Sequence, residues 1–209
     1  MSKAILVGAG NAPKMPLPIQ KEDYLVAVDG GAMYLLEQNL LPDIYIGDFD
    51  SCKILLPHIP IEKHPTHKDN TDMGLAIEHV IEKGYKEIWL FGADGGRMDH
   101  FLANLQLLVN YAQKGYCMRL IAPSFSVYAL HNNTLTLPKS NFSKTISIFC
   151  FSEKAEGVNL SGLVYPLKNA ILTNNYPLGV SNESIVGENT VIKVKKGTLL
   201  VFENNVPFI

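Results

Sequence analysis

Cysteine is scarce in this chain: Cys52, Cys117 and Cys150 are odd in number, far apart and form no CxxC pair. That excludes a disulfide framework and a zinc knuckle, and fits reduced thiols in a cytosol. No apolar run approaches the roughly 20 residues of a membrane span. The first run, Ala4-Ile5-Leu6-Val7, follows a single lysine and is too short for the core of a signal peptide. An excess of either charge is missing too: 18 Lys and Arg stand against 20 Asp and Glu, for a net charge of -2, and the basic residues are scattered. Neither nucleic acid nor an acidic membrane is therefore an expected partner. Internal repeats and low-complexity tracts are absent. What remains is a 209-residue chain, 47% hydrophobic, with a real core and room for one large or two small domains. A cytoplasmic protein is the expectation.

The first half alternates short apolar runs with helical patterns. Ala4 to Val7 and Tyr24 to Val28 are nearly all apolar, as strands covered on both faces are. Residues 32–41 have helical composition up to Leu41-Pro42, and Asp43 to Ile46 reads as the next strand, completing a βαβ unit. A longer helix is predicted over Asp72 to Lys83, with Met73, Ala76, Ile77 and Val80 on one face, Asp69 or Asn70 as cap and Gly84 just past its end. Glu87 to Phe91 reads as a buried strand containing Trp89, and Met98 to Lys114 as a helix with Phe101, Leu102, Leu105, Leu108 and Val109 at helical spacing. From about residue 117 short alternating strands take over: 118–122, 126–130, 134–137, 145–151, 190–195 and 198–203. Asn132-Asn133 and Lys196-Gly197 are hairpin-type turn signals. The fold class expected is thus an α/β N-terminal domain with a mostly parallel sheet, followed by an all-β C-terminal module.

Glycine and aspartate gather where these strands end. Gly8-Ala9-Gly10-Asn11 could be a phosphate loop or a plain tight turn. Pro13 occupies the place of the third glycine of a dinucleotide fingerprint, and no Walker lysine follows. Asp29-Gly30-Gly31-Ala32 and Gly47-Asp48-Phe49-Asp50-Ser51 lie at strand ends, where an open α/β sheet forms its ligand crevice. Asp69-Asn70-Thr71-Asp72 opens a helix. Two carboxylates one residue apart, Asp48 and Asp50, repel by about 4 kcal/mol at 4 Å and an effective dielectric of 20, so a cation between them is implied. Clustered hard oxygens suit Mg²⁺, although helix capping and Asx turns also favour aspartate here. Lys68 reads as a phosphate contact or a solvated charge. Gly92 to His100 is a glycine-rich loop entering a helix, with Arg97, His100 and Asn104 on one helix face. A guanidinium there can clamp phosphate, or pair with Asp94 or Asp99 on the surface. His64 and His67 lack the further ligands that zinc requires.

In this order and spacing, Asp-Gly-Gly-Ala, Gly-Asp-Phe-Asp-Ser, Asp-x-Thr-Asp and Gly-Gly-Arg-x-Asp-His resemble the thiamine pyrophosphokinase family. Gly162 to Leu167 and Gly179 to Glu183 resemble its C-terminal thiamine-binding segments. The resemblance covers nearly the whole chain. It implies an ATP-binding catalytic α/β domain over 1–120, a thiamine-binding β-sandwich over 121–209, and a homodimer with sites between subunits. It further implies transfer of pyrophosphate from Mg-ATP to the thiamine hydroxyl, giving thiamine diphosphate and AMP. By the same resemblance Asp48, Asp50 and Asp72 hold Mg²⁺, while Asp29, Gly30, Gly31, Lys68, Arg97 and Asn104 serve the nucleotide. Arg97 clamps the transferred phosphates, and Asp72 or Asp99 takes the hydroxyl proton. Ser181 and Asn182 hydrogen-bond the aminopyrimidine, with Tyr165 and Pro166 near the ring. Residues 168–178 match no segment of the family. Two rival readings are a nucleotide- or thiamine-sensing module without turnover, and a sugar-nucleotide transferase using Asp48-x-Asp50. The second leaves Arg97 to His100 and the β module unexplained.

Overall fold

The computed structural model describes residues 2–11, 19–47, 58–63 and 70–204. The chain divides into two compact units, residues 1–107 with 116–123, and residues 108–115 with 124–209. Among the described residues no helix is long and apolar enough to cross a membrane.

The first unit holds β1 (Ala4–Val7), β2 (Tyr24–Val28), β3 (Ile44–Gly47), β4 (Ile61–Lys63), β5 (Glu87–Phe91) and β6 (Cys117–Ile121). They run in the order β4-β3-β2-β1-β5-β6, every neighbour parallel. Strand side chains alternate between faces. Ile5, Val7, Leu25 and Ala27 therefore share one cluster with Ala32 and Leu35 of α1 (Gly31–Glu37). Tyr24, on the opposite face, stacks on His79 of α2 (Asp72–Glu82), which also packs against β1 and β3. A sheet covered on both faces needs apolar residues at every strand position, which is why β1 is buried throughout.

Helix α1 ends four residues before the composition predicts. Asn39 adopts a left-handed φ of 56°, and the Leu40 N–H turns back to Leu35 O at 2.8 Å, a closure that only glycine and asparagine adopt cheaply. The cap of α2 is Thr71, whose Oγ1 accepts from the Gly74 N–H at 3.1 Å. Asn70, expected in that role, instead accepts from the Thr71 N–H at 2.9 Å. Asp69 lies outside the described residues. Helix α3 spans Met98–Gln113 and buries Leu105, Leu108 and Val109 as predicted, while Leu102 is half exposed.

The second unit is a sandwich of two antiparallel sheets. One orders β7 (Phe125–His131), β14 (Thr198–Asn204), β9 (Thr145–Cys150) and β12 (Gly179–Glu183). The other orders β11 (Leu167–Thr173), β10 (Lys154–Ser161), β13 (Thr190–Lys193) and β8 (Thr134–Leu137). Ile146, Ile148, Leu199 and Val201 of the first sheet meet Leu137, Val158, Leu160 and Ile192 of the second in one core. The two expected hairpins are not hairpins. Asn132-Asn133 and Lys196-Gly197 each carry the chain from one sheet to the other, and they clasp one another: Asn132 N–H donates to Gly197 O at 3.2 Å, and Gly197 N–H to Asn132 Oδ1 at 2.8 Å.

Candidate active site

In the first unit β2, β3 and β4 extend the sheet on one side of β1, and β5 and β6 on the other. The chain thus reverses direction across the sheet between β1 and β5, and the loops after those two strands leave a crevice beyond their carboxyl ends. A cavity of about 540 Å³ opens there, bordered by residues 8–11 after β1, Asp29 after β2, Asp72 at the start of α2, and residues 92–97 with His100 and Asn104 after β5.

The floor is two glycine loops locked together. The N–H groups of Gly8, Gly10 and Asn11 donate to Phe91 O, Gly92 O and Asp94 O, each at 2.8 Å. A Cβ on Gly10 would lie 2.0 Å from Asp94 O. Glycine at position 10 therefore serves backbone packing, and the amides of Gly8, Gly10 and Asn11 are already engaged. Gly31 has a similar reason: a Cβ there would stand 1.8 Å from Val7 O. Of the Asp29-Gly30-Gly31 turn, Asp29 borders the cavity and Gly31 seats α1 on β1. Asp29 itself holds a left-handed φ of 50° while its N–H still bonds Ile46 O at 2.9 Å. For a residue with a side chain that backbone is strained, and such strain concentrates at functional sites.

Arg97 and Asp99 form a two-pronged pair at the rim, Nε to Oδ1 at 3.2 Å and Nη2 to Oδ2 at 2.5 Å. The guanidinium holds the Asp99 carboxyl down at about 2. Asp94 pairs differently from the surface expectation, for it is 6% exposed and away from Arg97. Its Oδ2 accepts from Asn11 Nδ2 at 3.3 Å, and its Oδ1 is buried with no hydrogen-bond partner among the described residues. Burial pushes its pKa up, against that one side-chain hydrogen bond. Arg97, His100 and Asn104 do share the cavity wall, as their spacing predicts. The Asn104 amide is committed to Ala93 O at 2.7 Å, so it braces the glycine loop.

Asp48, Asp50 and Lys68 lie outside the described residues. Among the described residues no three His, Cys, Asp or Glu side chains converge as a metal site. Asn11, Tyr34 and Thr71 border the cavity without a role assigned from sequence, and Asp94 does so although it was read only as a surface partner of Arg97. Asn11 and Asp94 stand inside the quoted glycine loops, which were the available signal; nothing marks Tyr34.

In the second unit Tyr165 is 63% exposed and Pro166 is exposed beside it, whereas Asn182 is 5% exposed. Ser181 is exposed with a left-handed φ of 57°, and its N–H donates to Ser147 Oγ at 3.0 Å.

Comparison with known proteins follows the same division. A family model described as thiamin pyrophosphokinase, catalytic domain, matches residues 16–120, and one described as thiamin pyrophosphokinase, vitamin B1 binding domain, matches residues 132–199. The thiamine pyrophosphokinase of Bacillus subtilis (strain 168) is 32% identical over 185 residues, 86% of each chain. A crystal structure of thiamine pyrophosphokinase from Bacillus subtilis superposes with a TM-score of 0.85 at 29% identity, covering 97% of this chain and 99% of that one. Thiamin pyrophosphokinase from Geobacillus thermodenitrificans gives a TM-score of 0.84 at 26% identity, covering 99% and 98%. On these matches the chain belongs to the thiamine pyrophosphokinase family.

Proposed function

We propose that this enzyme moves the terminal pyrophosphate of ATP to the primary hydroxyl of thiamine, releasing AMP and thiamine diphosphate. The observation that carries the reading is the crevice between β1 and β5, which gathers Asp29, Asp72 and Arg97 around a cavity of about 540 Å³. Catalysis of phosphoryl-type transfer is mostly positioning and charge stabilisation, and these side chains are of the types that supply it.

Asp29 and Asp72 bring hard oxygen donors to the cavity, which suits a hard divalent cation. Mg²⁺ would be held by Asp72 together with Asp48 and Asp50, and when bound it offsets the charge of the β and γ phosphates. Arg97, with guanidinium donors beyond those given to Asp99, steadies the transferred phosphates. The thiamine hydroxyl oxygen attacks the β-phosphorus, the bond to the α–β bridging oxygen breaks, and AMP leaves. The hydroxyl proton goes to a carboxylate. Asp72 and Asp99 are the carboxylates at hand for it. Lys68 and the Asp29-Gly30-Gly31 turn serve the nucleotide, and Tyr165, Pro166 and Ser181 the thiamine.

The catalytic α/β part is assigned to residues 1–120 and the thiamine-binding β-sandwich to 121–209. The working form is a homodimer in the cytoplasm with its sites between subunits. Exposed Leu178, Val180, Ile185 and Val186 in the second unit support the dimer, since apolar groups in such number mark protein contacts. Incubation of the purified chain with ATP, Mg²⁺ and thiamine should yield AMP and thiamine diphosphate in equal amounts, and neither with EDTA. Binding of either substrate without products would refute turnover.

A further inference from the structure

Asn182 is nine-tenths buried at the edge of a short backbone ladder. Leu163 bridges Ser184 in antiparallel fashion, Val164 N–H donates to Glu183 O at 2.9 Å, and Ile185 N–H to Gly162 O at 3.0 Å. In a regular antiparallel ladder the next main-chain exchange belongs to Val164 and Glu183, and Tyr165 and Asn182 face each other without one. The left-handed backbone at Ser181 turns the strand, and the Ser181 N–H goes to Ser147 Oγ. The Asn182 side chain joins the two facing residues. Asn182 Oδ1 accepts from the Tyr165 N–H at 3.0 Å, and Asn182 Nδ2 donates to Tyr165 O at 2.8 Å. Oδ1 accepts also from the Glu183 N–H at 2.9 Å. A carboxamide carries the same C=O and N–H as a peptide unit, so it clamps both polar groups of Tyr165 and takes the Glu183 N–H that a regular ladder would send to Val164 O.

Both functional groups of Asn182 are thereby engaged, and its side chain has almost no surface left to offer a ligand. Tyr165 has the opposite character. Its backbone is held on both polar groups, while the phenol ring is exposed and followed by Pro166, which fixes the chain direction. We propose that Asn182 is a positioning residue that works through Tyr165, presenting its ring ready-oriented to a flat heteroaromatic substrate. The inference rests on the thiamine reading for the identity of that substrate. An aromatic ring held in place loses little conformational entropy on binding.

The test is a double-mutant cycle on the full chain, with thiamine varied at saturating Mg-ATP. Asn182→Ala and Tyr165→Ala should each raise KM for thiamine about tenfold and change kcat by less than about twofold, the signature of lost ground-state binding. The double variant should match Tyr165→Ala alone, because the amide has nothing left to position. Multiplying effects would mean that Asn182 meets the substrate itself, and would overturn the proposal. Asn182→Asp, isosteric, still accepts from the Tyr165 N–H but sets its second oxygen against Tyr165 O, where Nδ2 donated. It should raise KM at least as much as Asn182→Ala does, and a wild-type KM contradicts the arrangement. Amide hydrogen exchange reads the clamp without turnover: in Asn182→Ala the Tyr165 N–H should exchange faster while that of Ile185 stays protected. An unchanged Tyr165 rate overturns the clamp. Fast exchange in a chain that forms no thiamine diphosphate leaves the clamp standing and rejects the substrate assignment alone.

Discussion

Single residues decide how the crevice handles charge. The Arg97–Asp99 pair is largely solvent-exposed, with side chains 70% and 64% exposed, so it contributes little to stability. In the proposed reaction its value is orientation, since the pair turns the fork of Arg97 toward the incoming phosphate. Arg97→Lys should keep the melting temperature within about 1 °C, because exposed substitutions are nearly neutral, yet lower kcat by about 100-fold, the usual scale for a lost charge-stabilising donor. Steady-state kinetics beside thermal melts separate the two effects, and full activity would remove Arg97 from the site. Asp94 is the contrasting carboxylate. Burial raises its pKa above the ordinary value of 3.8, so the folded chain binds its proton more tightly than the unfolded chain does. The stabilisation from that proton is complete below the unfolded pKa and is lost as pH rises through the folded one. Asp94→Asn should therefore raise the melting temperature at pH 7 and leave it nearly unchanged at pH 3.5. Melts between these values test the slope, and equal shifts at both ends would disprove it. Asp23 has the reverse sign. Burial alone would raise it, but the hydrogen bond from the Lys3 ammonium and those from the amides of Gln20 and Lys3 outweigh burial and keep it low.

At the scale of elements, what was legible in the sequence was whatever keeps a regular period. β1, β2, β5, α2 and α3 all present unbroken apolar spacing and were predicted close to their observed limits. β10, β11 and β12 were missed, and each contains a left-handed residue that breaks the alternation: Gly157, Asn169 and Ser181. β4 has three residues and no pattern to read. The turn residues at 132–133 and 196–197 were recognised as turns but not as crossings between sheets, because a turn signal carries no information about the partner of the strand that follows. In the crevice, residue types at strand ends pointed to the wall around Asp29, Asp72 and Arg97. The use of the Gly8–Asn11 amides could not be read, since it depends on a loop more than 80 positions away. That locking gives an element-scale prediction. Gly10→Ala drives a methyl into Asp94 O and should destabilise the chain by about 2 kcal/mol or more. Urea unfolding checks it, and a wild-type midpoint would show that the loops part more easily than their geometry implies.

At the scale of the whole molecule, the proposed dimer is open to direct test. Val186 is 55% exposed among other apolar side chains of the second unit. Val186→Asp places a charge within the proposed contact, where an unpaired buried charge is costly. Sedimentation should find dimers of wild type and monomers of the variant, with turnover lost in parallel if each site draws on two subunits. A variant that remains dimeric would place the contact elsewhere. The two interlocked loops under the crevice also limit how this enzyme can diverge. Each loop fits against the backbone of the other, so an insertion or deletion in either breaks the floor of both. Loop length is therefore closed to natural variation and to library design alike. If the crevice holds the nucleotide as proposed, a change in its preference comes from exchanging side chains that line the cavity, such as Tyr34 and His100, one position at a time.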